Sequence, residues 1–148
     1  MKHTVHVKKL HEQAILPSYG SMMAAGADLY ALIEDGAVTV EPHATVMIRT
    51  GLAMEIPEGF AGLIYARSGT ACKRGLAPAN KVGVIDSDYR GEIMVALYNQ
   101  GETAQVIEQG ERIAQIVLTP YLRAEYEIAE ELSDTARGAG GFGSTGRK

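Results

Sequence analysis

No stretch of this chain carries a 3.6-residue apolar repeat long enough to bury one face of a helix, and that lack constrains the fold more than any motif. In its place, short β-rich or alternating stretches recur at 4–8, 27–31, 38–40, 45–50, 60–66, 92–98, 105–108, 112–118 and 124–129, each closed by turn-forming residues. Pro57-Glu58-Gly59 reads as a hairpin turn between 52–56 and 60–66, and Asn99-Gln100-Gly101 as a turn after 92–98. Only 68–73 suggests a helical turn, with Ser68 as its N-cap. The pattern predicts an all-β sandwich or barrel built from antiparallel neighbours. At 148 residues and 46% hydrophobic content the chain can bury one core, so one domain over 1–132 and a tail over 133–148 are expected.

That tail holds five glycines, one aromatic residue (Phe142), and Arg137, Ser144 and Thr145, in a composition that cannot build a core. Successive backbone N–H groups freed by glycine, two hydroxyls and a guanidinium suit a polyphosphate, and Phe142 suits a flat base. A solvated Gly/Ser tail is the other reading of the same residues.

The formal net charge of −4 argues against a general nucleic-acid binder, whose affinity rests on clustered Lys and Arg. Cys72 is the only cysteine, which leaves no disulfide framework and suits a reducing compartment. Residues 1–16 lack an apolar signal core, and no apolar run approaches spanning length, so a cytoplasmic protein without a membrane partner is expected.

Four segments depart from half-buried alternation. Around Asp28, small residues surround a carboxylate that could face a metal, pair with an arginine or cap a turn. Arg67, Ser68 and Gly69 stand where a strand gives way to a helical turn; guanidinium and N–H groups there suit phosphate, while a cap and a surface ion pair are the plainer alternative. In the run from Asn80 to Glu92, Val84 and Ile85 anchor Asp86 at a pocket rim, Asp88 and Arg90 read as solvated turn residues, Tyr89 as rim packing and Asn80 as a turn amide. Alternation from Gly110 to Ile116 puts Arg112, Ala114 and Ile116 on one face and Ile113 and Gln115 on the other, where Gln115 needs a backbone or ligand partner.

Taken in order, AGADLYA, ARSGTA, NKVGVIDSDYRGE, GERIAQIVL and RGAGGFGSTG resemble the five motifs of the trimeric deoxyuridine triphosphatase (dUTPase) family, from Ala25 to Gly146. The resemblance implies a β-clip or distorted jelly-roll subunit in a homotrimer whose active sites are shared between chains. It also implies hydrolysis of dUTP to dUMP and pyrophosphate with Mg²⁺, which keeps uracil out of DNA and supplies dUMP. By the same resemblance Asp86 is the base for water at the α-phosphorus, and Asp28 holds metal-bound waters. Arg67, Ser68, Gly69 and Gln115 contact the phosphates. Asn80, Gly83, Val84 and Ile85 read the base, Tyr89 packs under the deoxyribose, Phe142 covers the uracil, and Arg137, Ser144 and Thr145 clamp the γ-phosphate.

Position 66 is alanine where many relatives carry proline, and Cys72 and the histidines at 3, 6, 11 and 43 receive no role. Two rivals share the scaffold: a dCTP deaminase, disfavoured by the Asp86–Tyr89 segment and the Phe142 tail, and a non-catalytic nucleotide sensor.

Overall fold

The computed structural model describes residues 3–141, and they form eleven strands and one short helix: β1 (His6–Lys9), β2 (Ser18–Tyr19), β3 (Ala27–Tyr30), β4 (Ala37–Val40), β5 (Thr45–Glu55), β6 (Phe60–Tyr65), α1 (Ser68–Arg74), β7 (Leu76–Pro78), β8 (Gly83–Ile85), β9 (Glu92–Asn99), β10 (Gln105–Glu108) and β11 (Arg112–Pro120). Two antiparallel sheets run β1-β5-β9-β7 and β2-β3-β11-β6-β8, with a small β10-β4 pair beside them. The all-β class read from the turn-punctuated stretches is the one that forms.

The core follows from period-two burial. In β9, Ile93, Val95, Leu97 and Asn99 point inward while Met94, Ala96 and Tyr98 alternate outward. These inward residues meet Leu29, Leu52, Ile107 and Ile113, all essentially without solvent exposure, and each such aliphatic side chain contributes roughly 1.5–3 kcal/mol of burial. The buried amide of Asn99 is fully used: it donates to the carbonyls of Val40 (3.0 Å) and Thr103 (2.8 Å) and accepts from the Gly101 N–H (2.9 Å). One asparagine thus builds the turn read at 99–101.

Four sequence expectations change. The stretches 45–50 and 52–56 are one strand, β5, whose register to β9 shifts between Arg49 and Ala53. Gly51 sits in that shift at φ +69, and a Cβ there would lie 2.7 Å from Leu32 and 2.8 Å from Ala14. Pro57-Glu58-Gly59 does turn the chain, with the Phe60 N–H donating to the Pro57 carbonyl at 3.1 Å, but β5 and β6 lie in different sheets, so the turn passes between layers and closes no hairpin. The N-cap of α1 is Arg67, in extended backbone, and no side chain caps the helix, so Ser68 is its first helical residue. Finally, 124–129 forms no strand. Its alternation is real, but among the described residues no strand pairs with it, and Tyr126 and Ile128 stand at 94% and 103% exposure, Leu122 at 99%.

Among the described residues no helix is long and apolar enough to cross a membrane.

Candidate active site

Strand pairing builds one half of the site. Gln115 of β11 lies directly opposite Asp28 of β3 on one side and Tyr65 of β6 on the other. Cross-strand partners project to the same face, so these three side chains stand together. The register of β11 against β3 shifts between Arg112 and Ala114. This bulge returns Arg112 to the Gln115 face, where strict alternation had grouped it with Ala114 and Ile116. Arg67 arrives from the end of β6. The Asp28 side chain, only 13% exposed, accepts from Arg67 Nε on Oδ1 (2.7 Å) and from Arg112 Nη1 on Oδ2 (3.2 Å). Of the three readings open for Asp28, the arginine pairing is present in the structure. One carboxylate against two guanidiniums leaves a surplus positive charge, and Asp28 engages only Nε of Arg67, so the terminal nitrogens of that fork are available to an anion. Beside it, Ser68 and Gly69 are exposed in the first turn of α1, which carries no acidic residue.

Gln115 is held for the same surface. Its Nε2 donates to the Ala66 carbonyl at 2.9 Å, the backbone partner anticipated for it. A Cβ on Gly26 would collide with its Oε1 and come within 3.0 Å of Cδ, so glycine at 26 makes the seat of this amide.

Strand β8 supports the other half. Gly83, Val84 and Ile85 pair with Ile64, Leu63 and Gly62 of β6. The chain then turns through Asp86 to Tyr89, closed by the Tyr89 N–H on the Asp86 carbonyl at 3.2 Å. Arg90 is not merely solvated: its Nη1 donates to the carbonyls of Ser87 (2.7 Å) and Tyr89 (3.0 Å) and braces the turn. Asn80 shapes the entry to β8, its carbonyl accepting from Val82 N–H at 2.7 Å, and its side chain is exposed. Exposed Asp86 stands at the rim of a pocket of about 280 Å³ walled by Met47, Val84, Ile85, Tyr89, Glu92 and Met94. The Tyr89 hydroxyl donates to the Glu92 carbonyl at 3.1 Å. The Glu92 carboxylate accepts from Arg49 Nε (3.1 and 3.2 Å) and from the Gly51 N–H (2.8 Å), which fixes the pocket floor. Hydrogen bonding and charge from Glu92, with Glu34 assisting, raise the pKa of the Arg49 guanidinium above its ordinary value.

The two halves do not meet within one chain. Antiparallel pairing of Gly62 with Ile85 sets Asp86 at the level of Ala61, whereas Arg67 lies past the opposite end of β6. Six residues of near-extended chain separate those levels, roughly 20 Å at ~3.3 Å per residue. Arg137 is exposed, its Nε donating to the Gly140 carbonyl at 2.8 Å. Phe142, Ser144 and Thr145 lie outside the described residues.

Sequence reading assigned no role to Arg112, Arg49, Glu92, Gly26 or Gly91. A bulge hid Arg112 and tertiary pairing the next two; the glycines are visible only as space already filled by another side chain.

Comparison with known proteins points one way. The pattern that defines the dUTPase family matches residues 12–146. A deoxyuridine 5'-triphosphate nucleotidohydrolase of Acinetobacter baumannii is 48% identical over 141 residues, covering 95% of this chain and 93% of its own. One of Desulfitobacterium hafniense is 54% identical over 132 residues, covering 88% and 87%. Among solved structures, a variant of the Staphylococcus bacteriophage 80alpha dUTPase with dUpNHpp superposes at TM-score 0.89 with 31% identity, over 98% of this chain and 99% of that one.

Proposed function

The chain belongs to the dUTPase family, and from that premise we propose that it hydrolyses dUTP to dUMP and pyrophosphate at sites each assembled from several copies of itself. One observation carries the shared site: the pocket with Asp86 at its rim and the cationic cluster around Arg67 are each well formed, yet lie about 20 Å apart in one chain. A base acting at the α-phosphorus and an arginine on the same triphosphate must come far closer than that. A second copy supplies the missing half. The exposed alternation over 124–129 supports the same assembly, since Tyr126 and Ile128, with Leu122 before them, leave apolar side chains bare that another chain would cover. With three copies the assembly closes as a ring, the homotrimer that the family resemblance implies.

In this reading uracil and deoxyribose enter the pocket beside Val84, Ile85 and Tyr89, with Asn80 and Gly83 at the base edge. Asp86 orients a water and takes its proton as the new oxygen–phosphorus bond forms. The bond to the α/β bridging oxygen breaks, and pyrophosphate leaves with that electron pair. Arg67, Ser68, Gly69 and Gln115 of a neighbouring copy bind the phosphates and stabilise the charge that develops. Residues 133–148 form the closing arm, with Arg137, Ser144 and Thr145 on the γ-phosphate and Phe142 over the base.

Mg²⁺ takes oxygen ligands, keeps several waters and commonly sits on substrate phosphates. Among the described residues no three His, Cys, Asp or Glu side chains converge as ligands, and both oxygens of Asp28 already accept from arginines. Asp28 therefore fits Mg²⁺ through water, with the triphosphate supplying the direct ligands. An Mg²⁺ ion held there would supply charge neutralisation to the phosphates. Exposed Cys72, a free thiol, agrees with a reducing cytoplasm as the site of action.

Incubation with dUTP, dCTP, dTTP and UTP in Mg²⁺, reading pyrophosphate, ammonia and nucleoside product separately, tests the reaction. Pyrophosphate and dUMP from dUTP, at a kcat/KM well above that for the other three, are expected. Ammonia from dCTP would identify a deaminase, and binding without turnover a sensor.

A further inference from the structure

Gly91 lies under Tyr89. A Cβ built on Gly91 would collide with the tyrosine hydroxyl oxygen and come within 2.5 Å of Cζ and 3.0 Å of Cε2, where ordinary contact begins at 3.4 Å. The ring thus occupies the volume that any other residue at 91 would fill. The backbone of Gly91 is not in the left-handed region, so steric space, not conformational freedom, distinguishes glycine here. Folded back over Gly91, the ring delivers its hydroxyl to the Glu92 carbonyl at 3.1 Å. That acceptor is rigid, because Glu92 lies in β9 and its carboxylate is tied to Arg49 and the Gly51 N–H. Arg90, between the two, ties the Tyr89 carbonyl. With 41% of the tyrosine exposed, its ring has a seat on one side and lines the pocket on the other.

We propose that Gly91 is a specificity-determining position for the sugar: its missing Cβ and the Glu92 carbonyl together seat the Tyr89 ring where a 2′-hydroxyl would have to go. The inference rests on the reading of Tyr89 as the wall beneath the deoxyribose and adds what holds that wall. Alanine at 91 meets no left-handed backbone strain and collides only with the far end of a side chain. The ring is displaced, its hydroxyl bond is lost, and exclusion of the ribose relaxes while the fold persists.

The experiment compares kcat/KM for dUTP and UTP in Gly91→Ala, Tyr89→Phe, Tyr89→Ala and Gly91→Ala/Tyr89→Ala, alongside melting temperature. Gly91→Ala is expected to melt close to wild type and to lower the dUTP/UTP ratio about tenfold. Tyr89→Phe keeps the ring and loses only the bond to Glu92, so its ratio falls about two- to tenfold, the span of one net hydrogen bond. Tyr89→Ala lowers the ratio most, and adding Gly91→Ala to it changes the ratio no further, because without the ring there is nothing to displace. A ratio within twofold of wild type in both Gly91→Ala and Tyr89→Phe, while Tyr89→Ala relaxes it, would overturn the seat and leave the wall standing. An unchanged ratio in Tyr89→Ala would overturn the wall and the seat with it.

Discussion

Asparagine in place of Asp86 is expected to lower kcat for dUTP by roughly 10²–10⁴, the range for loss of a positioned general base. The substitution is nearly isosteric, and the Asp86 side chain is exposed at the pocket rim. The turn around it is held by main-chain contacts, Tyr89 N–H to the Asp86 carbonyl and Arg90 to Ser87 and Tyr89, none of which needs the carboxylate. The loss should therefore fall on chemistry, with melting temperature and dUTP affinity close to wild type. Retention of more than a third of wild-type turnover would remove Asp86 from the mechanism.

Deleting residues 137–148 should be as costly to activity and almost free of cost to the fold. The described part of this segment makes only local hydrogen bonds, such as Arg137 to the Gly140 carbonyl, and among the described residues none beyond Pro120 belongs to the core. Little apolar burial is lost, so the melting temperature of the ligand-free protein should stay near that of the full chain. Turnover should fall roughly 10²-fold or more, because the γ-phosphate clamp and the cover that excludes water go together. A large drop in melting temperature without ligand would make the segment structural and refute its role as a closing arm.

How much of this was legible in the sequence depended on the range of the interactions. Period-two burial in 92–98 is local, and that strand forms; β11 forms as well, although its burial does not alternate. β7 and β8 have three residues each, too few for alternation to register, and they exist because β9 and β6 offer them partners. The converse case is 124–129, where alternation is present and a partner strand among the described residues is not. Asp28 showed that a carboxylate stood at a strand entrance without revealing its partners, since the Arg67 contact spans 39 residues and the Arg112 contact 84 and depends on a bulge. Gly91 gave no sign at all, because its role is the space that Tyr89 fills.

The most direct test of the shared site is to mix two inactive forms. Arg67→Gln removes the charge from the phosphate surface while keeping a hydrogen-bond donor for Asp28, and Asp86→Asn removes the base. Each alone should be nearly inactive. Refolded together in equal amounts, with mixed trimers verified by mass, they should recover about a quarter of wild-type activity, since a site needs Asp86 from one chain and Arg67 from its neighbour and each is intact with probability one half. Activity no higher than the sum of the two parents, in verified mixed trimers, would mean that base and phosphate arginine come from the same chain, and the account would be contradicted.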